Sequence, residues 1–402
     1  MLFTLSHNNC YGVFNLEKIT GKQKGLREAS VKKSLSPQLQ ECLVVGLDLY
    51  ENDEKAFLND LYKLCSQKLS QPLERKQHSD DTVEIFDMGK LRQCYENAST
   101  SEKTVKAILK KFNLSEDTGY RKLAPVTKSF IDGLRALKKS HPNCIEFLDY
   151  VDQFGALSLC RANTMKMYFP PVILAGPPGV GKTAIVREVA RLLGVAYKQL
   201  DMATVTSSFV ISGASSVWSD AKTGCIVDLL RDAHAANPMV ILDELDKVSK
   251  DQKHDPLGGL YTLLEQESAE KFTDEALDIK MDASHILYVA TANDLTLIPE
   301  PLLSRFLVIN IDDVKGKHHR IVTQSIYSSI IKNEKIERAF KENITEDVFD
   351  LLEPFSPREV KRILMRAMAK SACRMQSNYE LKIEEGDLML PSDDEKRIGF
   401  VW

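Results

Sequence analysis

The stretch that most constrains this chain is GPPGVGKT, Gly176 to Thr183, because of what stands on either side of it. PVILA precedes it, a short apolar run of the kind that forms a buried strand. TAIVREVARLLG follows, with apolar residues at helical spacing. Strand, glycine-rich turn and helix in that order fit G-x-x-x-x-G-K-[ST], a pattern in which backbone N–H groups turn inward around phosphate oxygens. Lys182 supplies positive charge to the outer phosphates, the Thr183 hydroxyl is a ligand for Mg²⁺, and the helix N-terminus adds a favourable dipole. Nucleotide contacts are therefore expected over Gly176, Pro177, Pro178, Gly179, Val180, Gly181, Lys182, Thr183 and Ala184.

The same grammar continues downstream. After residue 169, apolar runs of strand length (AYKQLDM, MVILD, HILYVATA, FLVINI) alternate with amphipathic helical patterns such as IVDLLRDAHAA. Alternating strands and helices mean a parallel sheet covered by helices on both faces. VILDE ends one of these strands in two carboxylates, Asp243 and Glu244. The carboxyl edge of an open α/β sheet is where ligands sit, which puts both acids beside the phosphate loop. Asp243 is expected to hold the water shell of Mg²⁺, and Glu244 to polarise the attacking water.

Composition narrows the remaining classes. A chain of 402 residues, 43% hydrophobic and 27% charged, is an ordinary globular protein with room for two or three domains. It has no apolar run of about 18 residues, so no membrane-spanning helix is expected. MLFTLSHNNCYGVF reads poorly as a signal peptide. Eight cysteines are scattered singly, which points to reduced thiols in the cytoplasm and to neither disulfides nor zinc. Net charge is −4 but uneven: residues 1–140 carry 23 Lys+Arg against 18 Asp+Glu. That excess is small, since basic residues usually form a solvated face.

The periodicity predicts a mainly helical region over 1–125, a helical connector over 126–169, the α/β core over 170–311, helices again over 312–378 and an irregular tail over 379–402. Within the first region, ECLVVGLDLYENDEKAFLNDLYKLCSQKL has the pattern of two helices. VKAILKKFNLSEDTGYRKL can be read as a helix-turn-helix. In FSPREVKRILMRA, Ser356, Pro357 and Glu359 spell a helix start with a capping box, and Val360, Ile363, Leu364, Ala367 and Met368 its buried stripe. Arg358 sits in the first turn, where the helix dipole disfavours a cation and a nearby polyphosphate would explain it.

At this point the sequence resembles the AAA+ ATPases, and within them the ATPase module of the Lon proteases. GPPGVGKT, NPMVILDELDKV, LLEQESAEKFTDEALDI, VATANDLTLIPEPLLSRFLVI and SPREVKRIL stand in that family's order over roughly residues 170–375. The resemblance implies a P-loop NTPase core with a helical lid, ATP and Mg²⁺ as cofactors, and assembly into a homo-oligomeric ring of six. It identifies Asn293 with the sensor that orients water at the γ-phosphate, Arg305 with the finger that reaches a neighbouring subunit's nucleotide, and Arg358 with the second sensor. It also identifies Trp218, alone in the small-residue stretch ISGASSVWSDAKTG, with the pore-loop aromatic that grips an extended polypeptide. The family's aromatic-Gly adenine motif has no placed counterpart, DQFGAL being too near Gly176. A Lon peptidase domain is not expected in the residues beyond the lid. The expected function is an ATPase that remodels a protein substrate without its own protease activity. The alternative is a nucleic-acid-associated loader or regulator, resting on the basic front end and the helix-turn-helix reading.

Overall fold

A computed structural model of the chain describes residues 2–7, 10–15, 82–97, 103–160, 166–214, 222–248, 255–373 and 381–390. Trp218 and the two helices expected over 41–69 lie outside the described residues. The chain divides into two compact units, residues 1–75 and 76–402. In the first, β1 (Leu2–His7) and β2 (Cys10–Asn15) form an antiparallel hairpin with Leu2 opposite Asn15 and His7 opposite Cys10.

The second unit opens with β3 (Thr82–Glu84), α1 (Met88–Asn97), α2 (Lys103–Leu109) and β4 (Tyr120–Lys122), which pairs antiparallel with β3. The amino-terminal region thus carries strands as well as helices. VKAILKKFNLSEDTGYRKL is helix, turn and strand, which corrects the helix-turn-helix expectation. The reversal is made at Gly119, whose φ of +80° suits glycine and where a Cβ would lie 2.0 Å from the Phe86 carbonyl oxygen. The Gly119 carbonyl accepts the N–H groups of Ile85 and Phe86 there, committing the chain to a strand pair. Ile85, Phe86, Leu91, Leu109 and Phe112 are buried in the same core as Ile226, Leu230, Phe272 and Met281. The connector follows as α3 (Lys128–Ser140), capped by Thr127, and α4 (Ile145–Cys160), which contains DQFGAL.

The α/β core then runs β5 (Val172–Ala175), α5 (Lys182–Leu193), β6 (Tyr197–Asp201), α6 (Cys225–Asp232), β7 (Met239–Asp243), α7 (Gly258–Leu263), the hairpin β8 (Phe272–Asp274) and β9 (Ile279–Met281), β10 (Leu287–Ala292) and β11 (Leu307–Asn310). Five strands make one parallel sheet in the order β11-β5-β10-β7-β6. Burial explains the near-continuous apolar runs: β5 and β10 are buried at every position, while the edge strands β6 and β11 are mostly exposed. Because every strand runs the same way, the ends of β5, β7 and β10 meet at one edge. Asn237, fully buried, stitches the connector to this sheet by accepting the Ala124 N–H and donating to the Ala124 and Met167 carbonyls.

The lid is α8 (Gly316–Glu334), α9 (Glu346–Leu352) and α10 (Pro357–Ala372), with a core of its own built on Tyr327, Val348, Leu352, Val360 and Leu364. The capping box forms as the sequence predicts: Ser356 Oγ accepts the Glu359 N–H, and Glu359 Oε2 accepts the Ser356 N–H. All five residues of the expected stripe are buried.

The stem of the segment bearing Trp218 is held from one side chain. Asp274, fully buried, accepts the N–H of Gly224 at 2.7 Å with one oxygen and those of Ala276 and Leu277, at 2.9 and 3.3 Å, with the other. The Ala214 N–H donates to the Lys222 carbonyl across the same stem. Asp274→Ala leaves three buried donors without acceptors, each worth about 1–3 kcal/mol. The variant is expected to lose about 3 kcal/mol or more of stability in urea denaturation; a midpoint equal to the parent's contradicts the assignment.

Candidate active site

The phosphate loop is shaped by backbone that only glycine tolerates and by contacts that leave no room for a side chain. Gly179 and Gly181 stand at φ +84° and +98°, and a Cβ on Gly176 would meet the Ile311 carbonyl oxygen at 2.2 Å. Gly181 caps α5, so the helix begins at Lys182 with its free N–H groups facing the loop. Asn143 Nδ2 donates to the Val180 carbonyl at 3.1 Å, tying the loop to the connector. Lys182 is only 7% exposed, and its Nζ donates to the carbonyls of Gly176 and Pro177 and to Asn293 Oδ1 at 2.7–2.8 Å. Burial holds its ammonium below the usual lysine range, partly offset by the charges of Asp246, Asp243 and Glu244. A buried cation whose three donors all go to uncharged oxygens, at the mouth of a helix N-terminus, is fitted to an anion.

Asp243, at the end of β7, is the centre of the site. Thr183 Oγ1 donates to its Oδ1 at 2.6 Å, Thr291 Oγ1 to the same oxygen at 2.7 Å, and Gln199 Nε2 to its Oδ2 at 2.6 Å. Arg187 Nε in turn donates to Gln199 Oε1 at 2.9 Å, which fixes the amide so that its nitrogen faces the carboxylate. The carboxylate and the Thr183 hydroxyl are the hard oxygens a magnesium ion takes alongside water and phosphate. Glu244 follows in the left-handed region at φ +55°, where a residue other than glycine is uncommon. Its N–H is fixed by Thr291 Oγ1 at 3.0 Å, so one hydroxyl orients both acids.

Of the other expected residues, Asn293 meets Lys182 directly. Arg358 is brought beside the loop, since a Cβ on Gly179 would lie 3.4 Å from the Arg358 Cβ and 3.3 Å from Ser356 Oγ. Arg305 is held elsewhere. Its guanidinium bonds the Pro301 carbonyl and Glu265 and stacks 5.2 Å from the Tyr261 ring centroid, while its Nε is buried without a partner. Trp218 lies outside the described residues. Sequence reasoning missed Gln199, Thr291, Asn143 and Asp246; the first two lie on strands beside β7, and polar residues near the carboxyl ends of apolar strands were the signal to follow.

The family model for "ATPase family associated with various cellular activities (AAA)" matches residues 172–312. The chain is 36% identical over 177 residues to a Lon protease of Porphyromonas gingivalis, covering 44% of this chain and 21% of that protein. It is 35% identical over 175 residues to the mitochondrial Lon protease homolog of Mus musculus, covering 44% of this chain and 18% of that one. A Lon protease of Clostridium beijerinckii is 29% identical over 313 residues, 76% of this chain and 37% of the relative. The chain therefore spans from about a fifth to under two fifths of the curated relatives it matches. Among solved structures, a Thermotoga maritima RuvB Holliday junction branch migration motor overlays 61% of this chain and 66% of that one at TM-score 0.39 and 15% identity, too distant to bear on what this chain acts on.

Thr291→Val keeps the shape of the β10 side chain but removes the hydroxyl shared by Asp243 and Glu244. A hydrogen bond to a charged group is worth about 1.5–3 kcal/mol, or roughly 10- to 100-fold. ATP turnover is expected to fall within that range, with more Mg²⁺ needed for half-maximal rate. Parental turnover at limiting Mg²⁺ would show that the hydroxyl orients neither acid.

Proposed function

We propose, for a chain whose residues 172–312 match the AAA family model and which is similar to the Lon proteases, that ATP is hydrolysed at the boundaries between copies in a ring of six and drives the remodelling of a protein substrate. The observation that carries this reading is that Arg305 is engaged by Pro301, Glu265 and Tyr261, none of them a residue of the phosphate site of its own chain. A cation that does not reach its own nucleotide supports one supplied to the neighbour's, where it stabilises charge developing on the transferred phosphoryl group.

The other roles follow from positions already described. The loop from Gly176 to Ala184 cradles the phosphates, and Lys182 leaves its carbonyl partners for their oxygens. Thr183 and Asp243 would hold Mg²⁺, which would supply neutralising charge to the nucleotide's phosphates. Glu244 takes the proton of the attacking water, Asn293 orients that water, and Arg358, on the lid, reports the nucleotide to α10. Trp218, in the segment that begins after Ala214, offers an indole with affinity for almost any extended chain at little rotamer cost. No peptidase step is assigned to this chain. Among the described residues no helix is long and apolar enough to cross a membrane.

Two variants test the reading. Trp218→Ala is expected to abolish work on a protein substrate while leaving basal ATP turnover within about twofold; normal remodelling by this variant refutes the pulling role. Glu244→Gln is expected to cut turnover by about 100-fold or more while retaining ATP, stalling the assembly on its bound substrate, which pull-down then recovers. Hydrolysis at the parental rate removes Glu244 from the chemistry.

A further inference from the structure

Asp246 lies just beyond the two acids of β7, in the single 3-10 turn Leu245–Lys247, and its side chain is 0% exposed. One oxygen, Oδ2, accepts the N–H of Asp294 at 3.3 Å, with Lys247 Nζ 3.9 Å away. The other, Oδ1, is buried and has no hydrogen-bond partner among the described residues. An asparagine in this place would bond Asp294 equally well without burying a charge, so folding alone does not account for a carboxylate with a dry oxygen. What surrounds it does. Asp294 follows Asn293, so the turn carrying Asn293 is fixed by Asp246. The charge of Asp246 acts on Lys182, together with those of Asp243 and Glu244. Lys182 in turn holds Asn293 Oδ1.

We propose that Asp246 is a positioning residue for ATP hydrolysis, its open oxygen taking the Asn293 amide N–H when Lys182 turns from Asn293 to the nucleotide. Without an acceptor there, the amide released by Lys182 rotates freely. With Nδ2 held on Asp246, Oδ1 is left facing the water that attacks. The proposal rests on the reading of Asn293 as the residue that orients this water. It also gives the carboxylate its reason, because an asparagine at 246 that keeps the Asp294 N–H on its oxygen turns a donor toward Asn293 and favours the opposite orientation of the Asn293 amide.

The test is a double-mutant cycle on the full chain. Asp246→Asn and Asp246→Ala are made alone and with Asn293→Ala, and kcat, KM for ATP, affinity for a fluorescent ATP analogue and thermal midpoint are measured. Each Asp246 variant is expected to lower kcat by ~10- to 100-fold with analogue affinity within about threefold, and to lower it no further in the Asn293→Ala background. Should Asn293→Ala slow turnover while Asp246→Asn, folded with a parental midpoint, does not, this proposal alone is overturned. Effects that multiply in the double variant overturn it equally, since Asp246 then acts by another route. If Asn293→Ala turns over at the parental rate, the reading of Asn293 fails and takes the proposal with it.

Discussion

Everything in the nucleotide site depends on one carboxylate being held still. Asp243 receives a hydroxyl from α5, another from β10 and an amide from β6, so three elements converge on two oxygens. Such a cluster is possible only because the sheet is parallel and its order places β7 between β6 and β10. The strand ends then share an edge, and each neighbour delivers one donor. A slip of one residue in any of these registers would turn that donor to the opposite face of the sheet. The apolar runs that bury β5, β7 and β10 are thus what hold the chemistry in place, as well as what drives folding.

The sequence made the core and the phosphate loop legible because both are written in local patterns. Glycines at Gly179 and Gly181 mark backbone that other residues avoid, and a run such as HILYVATA has few alternatives to a buried strand. The box at Ser356 and Glu359 was readable for the same reason, its partners being three residues apart. Contacts between distant segments were not. Gln199 and Thr291 read as unremarkable polar residues until the strand order brings them to Asp243. The region over 1–125 read as mainly helical because nothing local reveals that Phe86 and Leu109 share a core with Phe272. Gly119 misled in the other direction: a single left-handed turn replaced the second helix of an expected pair with a strand.

The reading of a site shared between copies turns on the placement of its cations. Lys182 reaches the loop carbonyls and the Arg358 Cβ lies beside Gly179, one residue on the sheet domain and one on the lid. Arg305 is anchored by Glu265 and Tyr261, away from both. An arginine so fixed has lost most of its rotamer freedom before any partner arrives, which lowers the entropic cost of presenting it to a second copy.

The most direct measurement is therefore ATP turnover in a mixture of two inactive variants, Arg305→Ala and Glu244→Gln. Each supplies what the other lacks if the guanidinium acts across a subunit boundary. Mixed in equal amounts under exchanging conditions, they are expected to recover about a quarter of parental turnover, the share of boundaries that pair an intact Glu244 with an intact Arg305. A mixture no more active than its components would contradict the account.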